Sequence, residues 1–253
     1  MKITFVGNGK MALALAKGLK DSYEIEVIAR DLKKLDDFEK ELDTKITKIE
    51  LTNSTTIENK TIIFAVKPYN LVEVGTKLTG KAKTIYSVLA GTSLESLKEN
   101  LSSKYYVRAM PNVAAEVNLS MTTLTGDEAQ KDEAQELFKG VGSALWLSSQ
   151  KELDIATGLA GSGPAYLALI AEALADGAVK EGLKRDDATR LTAGLFSGFS
   201  ALLENKHPAL LKDSVMSPGG TTAAGYAELE DNGVRSAMMK AISSAYKRAC
   251  ELS

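Results

Sequence analysis

Histidine and cysteine are nearly absent: the 253-residue chain has one of each, His207 and Cys250. A single cysteine excludes an intrachain disulfide. One histidine and one cysteine exclude the usual zinc ligand sets, so no metal is expected. Any catalysis must do without a histidine base unless His207 is that base. His207 stands before Pro208 at a predicted helix start, which favours capping over catalysis. Cys250 lies on the last predicted helix and reads as a packing residue. An excess of charge of one sign is lacking too. The 31 basic and 33 acidic residues leave a net charge of -2, no footprint for nucleic acid or an anionic membrane. No run of about 18 apolar residues is seen, and MKITFVGNGK lacks the pattern of a signal peptide. Internal repeats and low-complexity linkers are missing as well. A soluble cytoplasmic protein is expected, with neither nucleic-acid nor membrane partner.

The chain has an ordinary globular composition, 44% apolar and 25% charged. "KITFVGNGKMALALAKGLK" reads as a strand, a Gly-x-Gly turn at Gly7 and Gly9, and a helix, with Ala12 at the third glycine position. Strand, glycine turn and helix in that order are the setting of a dinucleotide fingerprint. Gly7 permits the tight turn, and Gly9 lets the backbone approach a pyrophosphate at a helix N-terminus. The next strand, "EIEVIAR", ends in Arg30 followed by Asp31. A guanidinium suits a 2′-phosphate and favours NADP(H). Asp31 suits either a 2′-hydroxyl, which leaves NAD(H) open, or the cap of the following helix.

Further strands are expected in "TIIFAVKP", "KTIYSVLAG" and "YYVRAMPN", the first and last ended by proline. "SMTTLT" and "SALWLS" flank one more helix near Glu128–Val141. The alternation predicts an α/β fold, a doubly wound and mostly parallel sheet of Rossmann type over residues 1–149. From residue 150 to 253 β-branched runs give way to helical periods, an all-α domain. Its first long helix, "GPAYLALIAEALADGAV", is apolar nearly all round, which predicts burial on every side, most simply against a partner subunit. "DDATRLTAGLFSGFSALLE" is a second long helix with Asp186 or Asp187 as expected N-cap.

With these elements in place, the chain resembles pyrroline-5-carboxylate reductases. The resemblance rests on "GNGKMA" (7–12), "AVKP" (65–68), "RAMPN" (108–112), "GSGPAY" (161–166), "EALADGAVKEGL" (172–183), "LKDSVMSPGGTT" (211–222) and "LE" (229–230). The order holds along essentially the whole length. The chain departs at Val113-Ala114 and at Ala160, where the family often has Thr-Pro and Ser. The resemblance implies NAD(P)H-dependent reduction of 1-pyrroline-5-carboxylate to L-proline, the last step of proline biosynthesis. It also implies a homodimer through the C-terminal helices, extended in some members to a larger ring of dimers.

It implies site residues as well. Val6, Gly7, Asn8, Gly9, Lys10 and Met11 would hold the pyrophosphate, and Arg30 the adenosine ribose. Asn53 resembles an adenosine-contacting Asn. Ala65, Val66, Lys67 and Pro68 would pass along the nicotinamide ribose and ring, with Met110 and Asn112 at a neighbouring strand end. Ser217, Gly219, Gly220, Thr221 and Thr222 would receive the substrate carboxylate, Ser217 also capping the helix. Thr222 would be the catalytic residue, near the imine nitrogen, with hydrogen bonding favoured over acid catalysis. For Lys67 the backbone matters more than the side chain. The alternatives are a related imine or beta-hydroxyacid dehydrogenase acting on another small carboxylate, and a non-catalytic NADP-binding regulatory module.

Overall fold

The structure, a computed structural model, describes residues 1–252. Strand and helix alternate through its first half. β1 (Lys2–Val6) leads to α1 (Lys10–Leu19), and β2 (Glu24–Ala29) to α2 (Leu32–Leu42). β3 (Thr47–Glu50), β4 (Thr55–Thr56), β5 (Thr61–Phe64), α3 (Leu71–Gly75) and β6 (Leu78–Thr79) follow. Next come β7 (Ala82–Ser87), α4 (Leu94–Asn100), β8 (Ser103–Met110), β9 (Ser120–Gly126), α5 (Lys131–Lys139) and β10 (Gly142–Trp146). Eight strands form one sheet in the order β10-β9-β8-β7-β5-β1-β2-β3, and β4 pairs with β6 apart from it.

Every neighbouring pair in the large sheet is parallel except β8 with β9. The exception follows from chain length. Residues 111–119 are too few for a crossover of about a dozen residues. They turn back through a 3₁₀ turn at Val113–Val117 and a left-handed Asn118 at φ 57. β9 to β10 has room for α5 and returns to parallel pairing. Both faces of the sheet are covered. Ile63 shares one buried cluster with Leu15, Leu35 and Phe38 of α1 and α2, while its neighbours Ile62 and Phe64 share another with Leu71, Val74 and Leu97 of α3 and α4. That alternation explains why the strands read as unbroken apolar runs.

The helical part comprises α6 (Gln150–Ala156), α7 (Gly163–Lys180), α8 (Arg185–Leu203), α9 (Pro208–Val215), α10 (Thr221–Asp231) and α11 (Val234–Leu252). Packing divides the described residues into two compact units, residues 1–164 with 243–252, and residues 165–242. The change of sequence pattern at 149/150 marks the start of α6. The first unit runs beyond it because Asp154 bonds Arg108 of β8 and the Ala160 carbonyl bonds Asn112.

Three expectations are corrected. A π turn at Thr157–Gly161 carries α6 into α7, so residues 150–180 form one helical run long and apolar enough, by length and composition alone, to cross a membrane. The sequence had shown no run of about 18 apolar residues. α8 has Lys184 as its N-cap; Asp186 and Asp187 lie in the first turn, where they face the positive helix end without capping it. Cys250 is exposed, and its neighbour Ala249 is the buried residue of α11. In α7 only Ala175 is buried, while Leu167, Leu169 and Leu174 are 50%, 67% and 45% exposed.

One buried ion pair fastens α6 to the sheet. Arg108 is 2% exposed and donates to Asp154 Oδ1 at 2.7 Å and Gln150 Oε1 at 3.3 Å. The same Gln150 oxygen accepts from the Leu94 amide at 2.7 Å, which draws in the start of α4. Removing Asp154 would leave a buried guanidinium uncompensated. Asp154→Ala is expected to lower stability by about 3 kcal/mol in urea unfolding at fixed protein concentration. Arg108→Met should cost less, and a loss below about 1 kcal/mol for Asp154→Ala would contradict the role given to the pair.

Candidate active site

A cleft of about 750 Å³ opens at the C-terminal ends of the parallel strands, a size suited to a small molecule or cofactor. Such a crevice is where open α/β sheets bind ligands, at the point where strand order reverses. Here that point is β1, flanked by β5 on one side and β2 on the other. The expected Val6, Gly7, Asn8, Gly9, Lys10 and Met11 line the cleft together. So do Arg30 after β2, Ala65, Val66, Lys67 and Pro68 after β5, and Met110 at the end of β8.

The two glycines of the turn do different work. Gly7 has φ 110, and a Cβ there would lie 2.7 Å from the Ala65 carbonyl oxygen. Its glycine is required by the fold. Gly9 has ordinary extended backbone (φ -76, ψ 175), and a Cβ there would meet nothing within 4 Å. Nothing inside the protein asks for a glycine at that place. Gly9 is the N-cap of α1, and no side chain bonds the free N–H groups of the first turn. Bare donors, a positive helix end and an open approach fit a pyrophosphate. The lining therefore fits a dinucleotide on the chemistry of its donors.

Arg30 lines the cleft. Asp31 is the N-cap of α2 and accepts from the Lys33 amide at 2.9 Å, so its carboxylate is engaged in capping. The acid beside Arg30 is Glu73 of α3, with Oε2 3.8 Å from the Arg30 guanidinium. Lys77, at 2.8 Å, and less strongly Arg30 hold the Glu73 carboxyl below its ordinary value. Lys67 is the N-cap of a 3₁₀ turn over Pro68–Asn70 and is exposed.

Two expected residues lie outside the lining. Asn53 sits in an exposed turn after β3, and Leu51 lines the cleft instead. Asn112 is engaged elsewhere: Oδ1 accepts from the Ala114 amide at 3.0 Å, and Nδ2 donates to the Ala160 carbonyl at 2.9 Å. It ties the turn after β8 to the π turn, where a Cβ at Gly161 would lie 3.8 Å from Met110 Cγ. Sequence reasoning missed Ile28, Asn70, Val74, Val88, Leu89 and Ala90, which also line the cleft. The "VLA" after β7 carried the one usable signal, a strand ending in small residues.

The second unit holds Ser217–Thr222. The Gly220 amide donates to the Ser217 carbonyl at 3.0 Å, Pro218 occupies the second turn position, and Gly219 takes φ 72, the pattern of a type II turn. Gly220 is the N-cap of α10, in extended backbone with no side-chain cap. The expected Ser217 cap is corrected: Ser217 stands at the first corner of the turn, three residues before the N-cap. A Cβ at Gly220 would lie 2.5 Å from Ser217 Oγ, so glycine is what lets that hydroxyl approach the helix entry. Thr221 and Thr222 open the helix. Further along α10 the Tyr226 hydroxyl donates to Glu230 at 2.5 Å and accepts from Arg235 at 2.6 Å. Arg235 Nε reaches both Glu230 oxygens at 3.1 and 3.2 Å. Arg235 first, then Tyr226, pulls the Glu230 carboxyl down to about 2. Lys212 of α9 lies 5.4 Å from the Tyr226 ring centre, so these groups brace the helices on both sides of the turn. His207 caps α9, its Nδ1 accepting from the Ala209 amide at 3.3 Å.

The two glycines of the first turn should separate under mutation. Gly9→Ala is expected to change stability by less than about 1 kcal/mol while weakening dinucleotide binding at least tenfold in calorimetric titration. Gly7→Ala should instead lower the unfolding temperature. Unchanged binding in Gly9→Ala would contradict the phosphate site.

Comparison with known proteins agrees with this geometry. Residues 150–252 match the family model described as pyrroline-5-carboxylate reductase dimerisation, and residues 2–91 match one described as NADP oxidoreductase, coenzyme F420-dependent. A pyrroline-5-carboxylate reductase of Glycine max is 37% identical over 98% of this chain and 95% of its own. The solved 1-pyrroline-5-carboxylate reductase of Streptococcus pyogenes has a TM-score of 0.86 at 30% identity, over 99% of this chain and 98% of that one. Plasmodium falciparum pyrroline carboxylate reductase, solved with NADP bound, has a TM-score of 0.82 at 25% identity, over 100% and 98% of the two chains. The N-terminal part is thus an NADP-binding domain, the C-terminal part a dimerisation domain, and the chain belongs to the pyrroline-5-carboxylate reductase family of NAD(P)-dependent oxidoreductases.

Proposed function

We propose that the strand-end cleft holds NADP(H) and that the Ser217–Thr222 turn receives the carboxylate of 1-pyrroline-5-carboxylate, which is reduced to L-proline. One observation carries this assignment of roles. α2, α4, α6 and α9 are capped by the side chains of Asp31, Ser93, Ser149 and His207. α3, α5 and α8 lack a side-chain cap too but begin on Asn70, Gln130 and Lys184, whereas α1 and α10 begin on bare glycines, Gly9 and Gly220, with extended backbone and no side chain to cover the helix start. Each offers free N–H groups and a positive helix end to an anion from outside the chain. The first would take the pyrophosphate, the second the substrate carboxylate.

When bound, the reduced nicotinamide supplies the hydride for the imine carbon. The protein holds and orients. Arg30 would pair with the 2′-phosphate, which favours NADP(H) over NAD(H). Ala65 to Pro68 would run beside the nicotinamide ribose, Lys67 acting through its backbone. Asn112 would act indirectly, by fixing the turn that carries Met110 and Pro111. Ser217 and Thr221 would add hydroxyl donors to the carboxylate, and the Thr222 hydroxyl would meet the imine nitrogen, donating to it in the neutral imine and accepting from its N–H once it is protonated. A protonated iminium is already electrophilic, so an ordinary hydroxyl suffices and no histidine is needed.

The apolar helix run over residues 150–180 suits a partner subunit: its leucines are exposed in the single chain and the dimerisation match spans them. A homodimer through the C-terminal helices follows, with a larger ring of dimers as its extension, working in the cytoplasm.

Loss of NADPH absorbance with 1-pyrroline-5-carboxylate tests the site. Thr222→Ala should lower kcat about tenfold or more with NADPH affinity unchanged, since a hydrogen bond to a charged group contributes about 1.5–3 kcal/mol. Ser217→Ala should mainly raise KM for the imine. Unaltered kinetics in both variants would remove this turn from the substrate site.

A further inference from the structure

We propose that Glu73 tunes the cofactor preference of this reductase by competing with the 2′-phosphate for Arg30, an inference that rests on the placement of that phosphate at Arg30. NAD-binding domains usually carry an acid at the end of the second strand to meet the ribose 2′-hydroxyl. Here the residue in that place, Asp31, has its carboxylate engaged as the cap of α2. The acid that reaches Arg30 comes from α3 instead, with Glu73 Oε2 3.8 Å from the guanidinium. Glu73 is not itself part of the cleft lining, but Arg30 is, and so are Asn70 and Val74 to either side of Glu73 in the sequence, so its carboxylate reaches the cleft through Arg30. Lys77 holds the same carboxylate from the other side at 2.8 Å.

This arrangement treats the two cofactors differently. NADPH brings a phosphate of about two negative charges to Arg30. Arg30 must then turn from Glu73 or share itself, and the carboxylate repels the phosphate. NADH brings a hydroxyl, which can donate to that carboxylate. Glu73 therefore weakens NADPH binding and leaves NADH binding unharmed or helped. The side chains of Arg30 and Glu73 are 60% and 48% exposed. Solvent screens the interaction, so the effect is moderate and falls with salt.

Calorimetric titration of the unliganded protein with NADPH and with NADH measures both dissociation constants without turnover. Glu73→Gln should tighten NADPH about three- to tenfold at low salt, leave NADH unchanged or weaker, and lose most of that gain in about 0.5 M salt. Glu73→Lys should shift the ratio further in the same direction. Arg30→Met should weaken NADPH at least tenfold and NADH little. If Arg30→Met behaves so while Glu73→Gln leaves NADPH unchanged or weaker, the role of Glu73 is overturned and the phosphate placement stands. If Arg30→Met leaves the NADPH to NADH ratio unaltered, the placement fails, and the competition fails with it.

Discussion

The close approach of β1 to the turn after β5 is the constraint on which the rest depends. Gly7 lies so near Ala65 that a Cβ would stand 2.7 Å from its carbonyl oxygen. The left-handed backbone at Gly7 then turns the chain out of β1 and aims the start of α1 across the strand ends. β1 is also where the sheet order reverses, so chains leave it on both sides and a crevice opens. Fastened strand ends and a helix N-terminus pointed into that crevice make a rigid receptor. Rigidity matters because the reaction asks the protein for orientation more than for acid–base chemistry.

The helical part repeats the same solution with different parts. Pro218 and Gly219 make a tight turn, Gly220 starts α10 without a cap, and Ser217 tucks its hydroxyl against that start. The Tyr226, Glu230 and Arg235 cluster, with Lys212 at the Tyr226 ring, ties the flanking helices together. In the proposed function the two uncapped helix starts take the anions, the one histidine serves as a helix cap, and the one cysteine is exposed on α11. Fixed N–H dipoles and a positive helix end would then do what charged side chains do elsewhere.

Much of this was legible in the sequence, because backbone devices leave marks in residue choice. Gly7, Gly9 and "SPGG" announce tight turns and helix starts. The apolar α7 predicted burial against a partner subunit before any family was considered, and the dimerisation match spans it. What stayed hidden was brought together by tertiary alignment. Ile28, Leu51, Val74 and Val88 are ordinary apolar residues, and only the stacking of strand ends makes them cleft wall. The resemblance implied Asn53 and Asn112 as cofactor contacts; Asn53 lies in an exposed turn outside the cleft lining, and Asn112 ties two turns together. Asp31 read either as a ribose ligand or as a helix cap, and the structure shows its carboxylate capping α2. The antiparallel β9 and the unbroken passage from α6 to α7 depend on connection length and on a π turn, which residue patterns do not display.

The most direct test of the account is a crystal structure of the protein with NADP bound. The account predicts that the dinucleotide lies across the ends of β1, β5 and β7, its pyrophosphate on the amides of residues 9 to 11 and its 2′-phosphate on the Arg30 guanidinium. A pyrophosphate held away from the start of α1, or a cofactor outside this cleft, would contradict it.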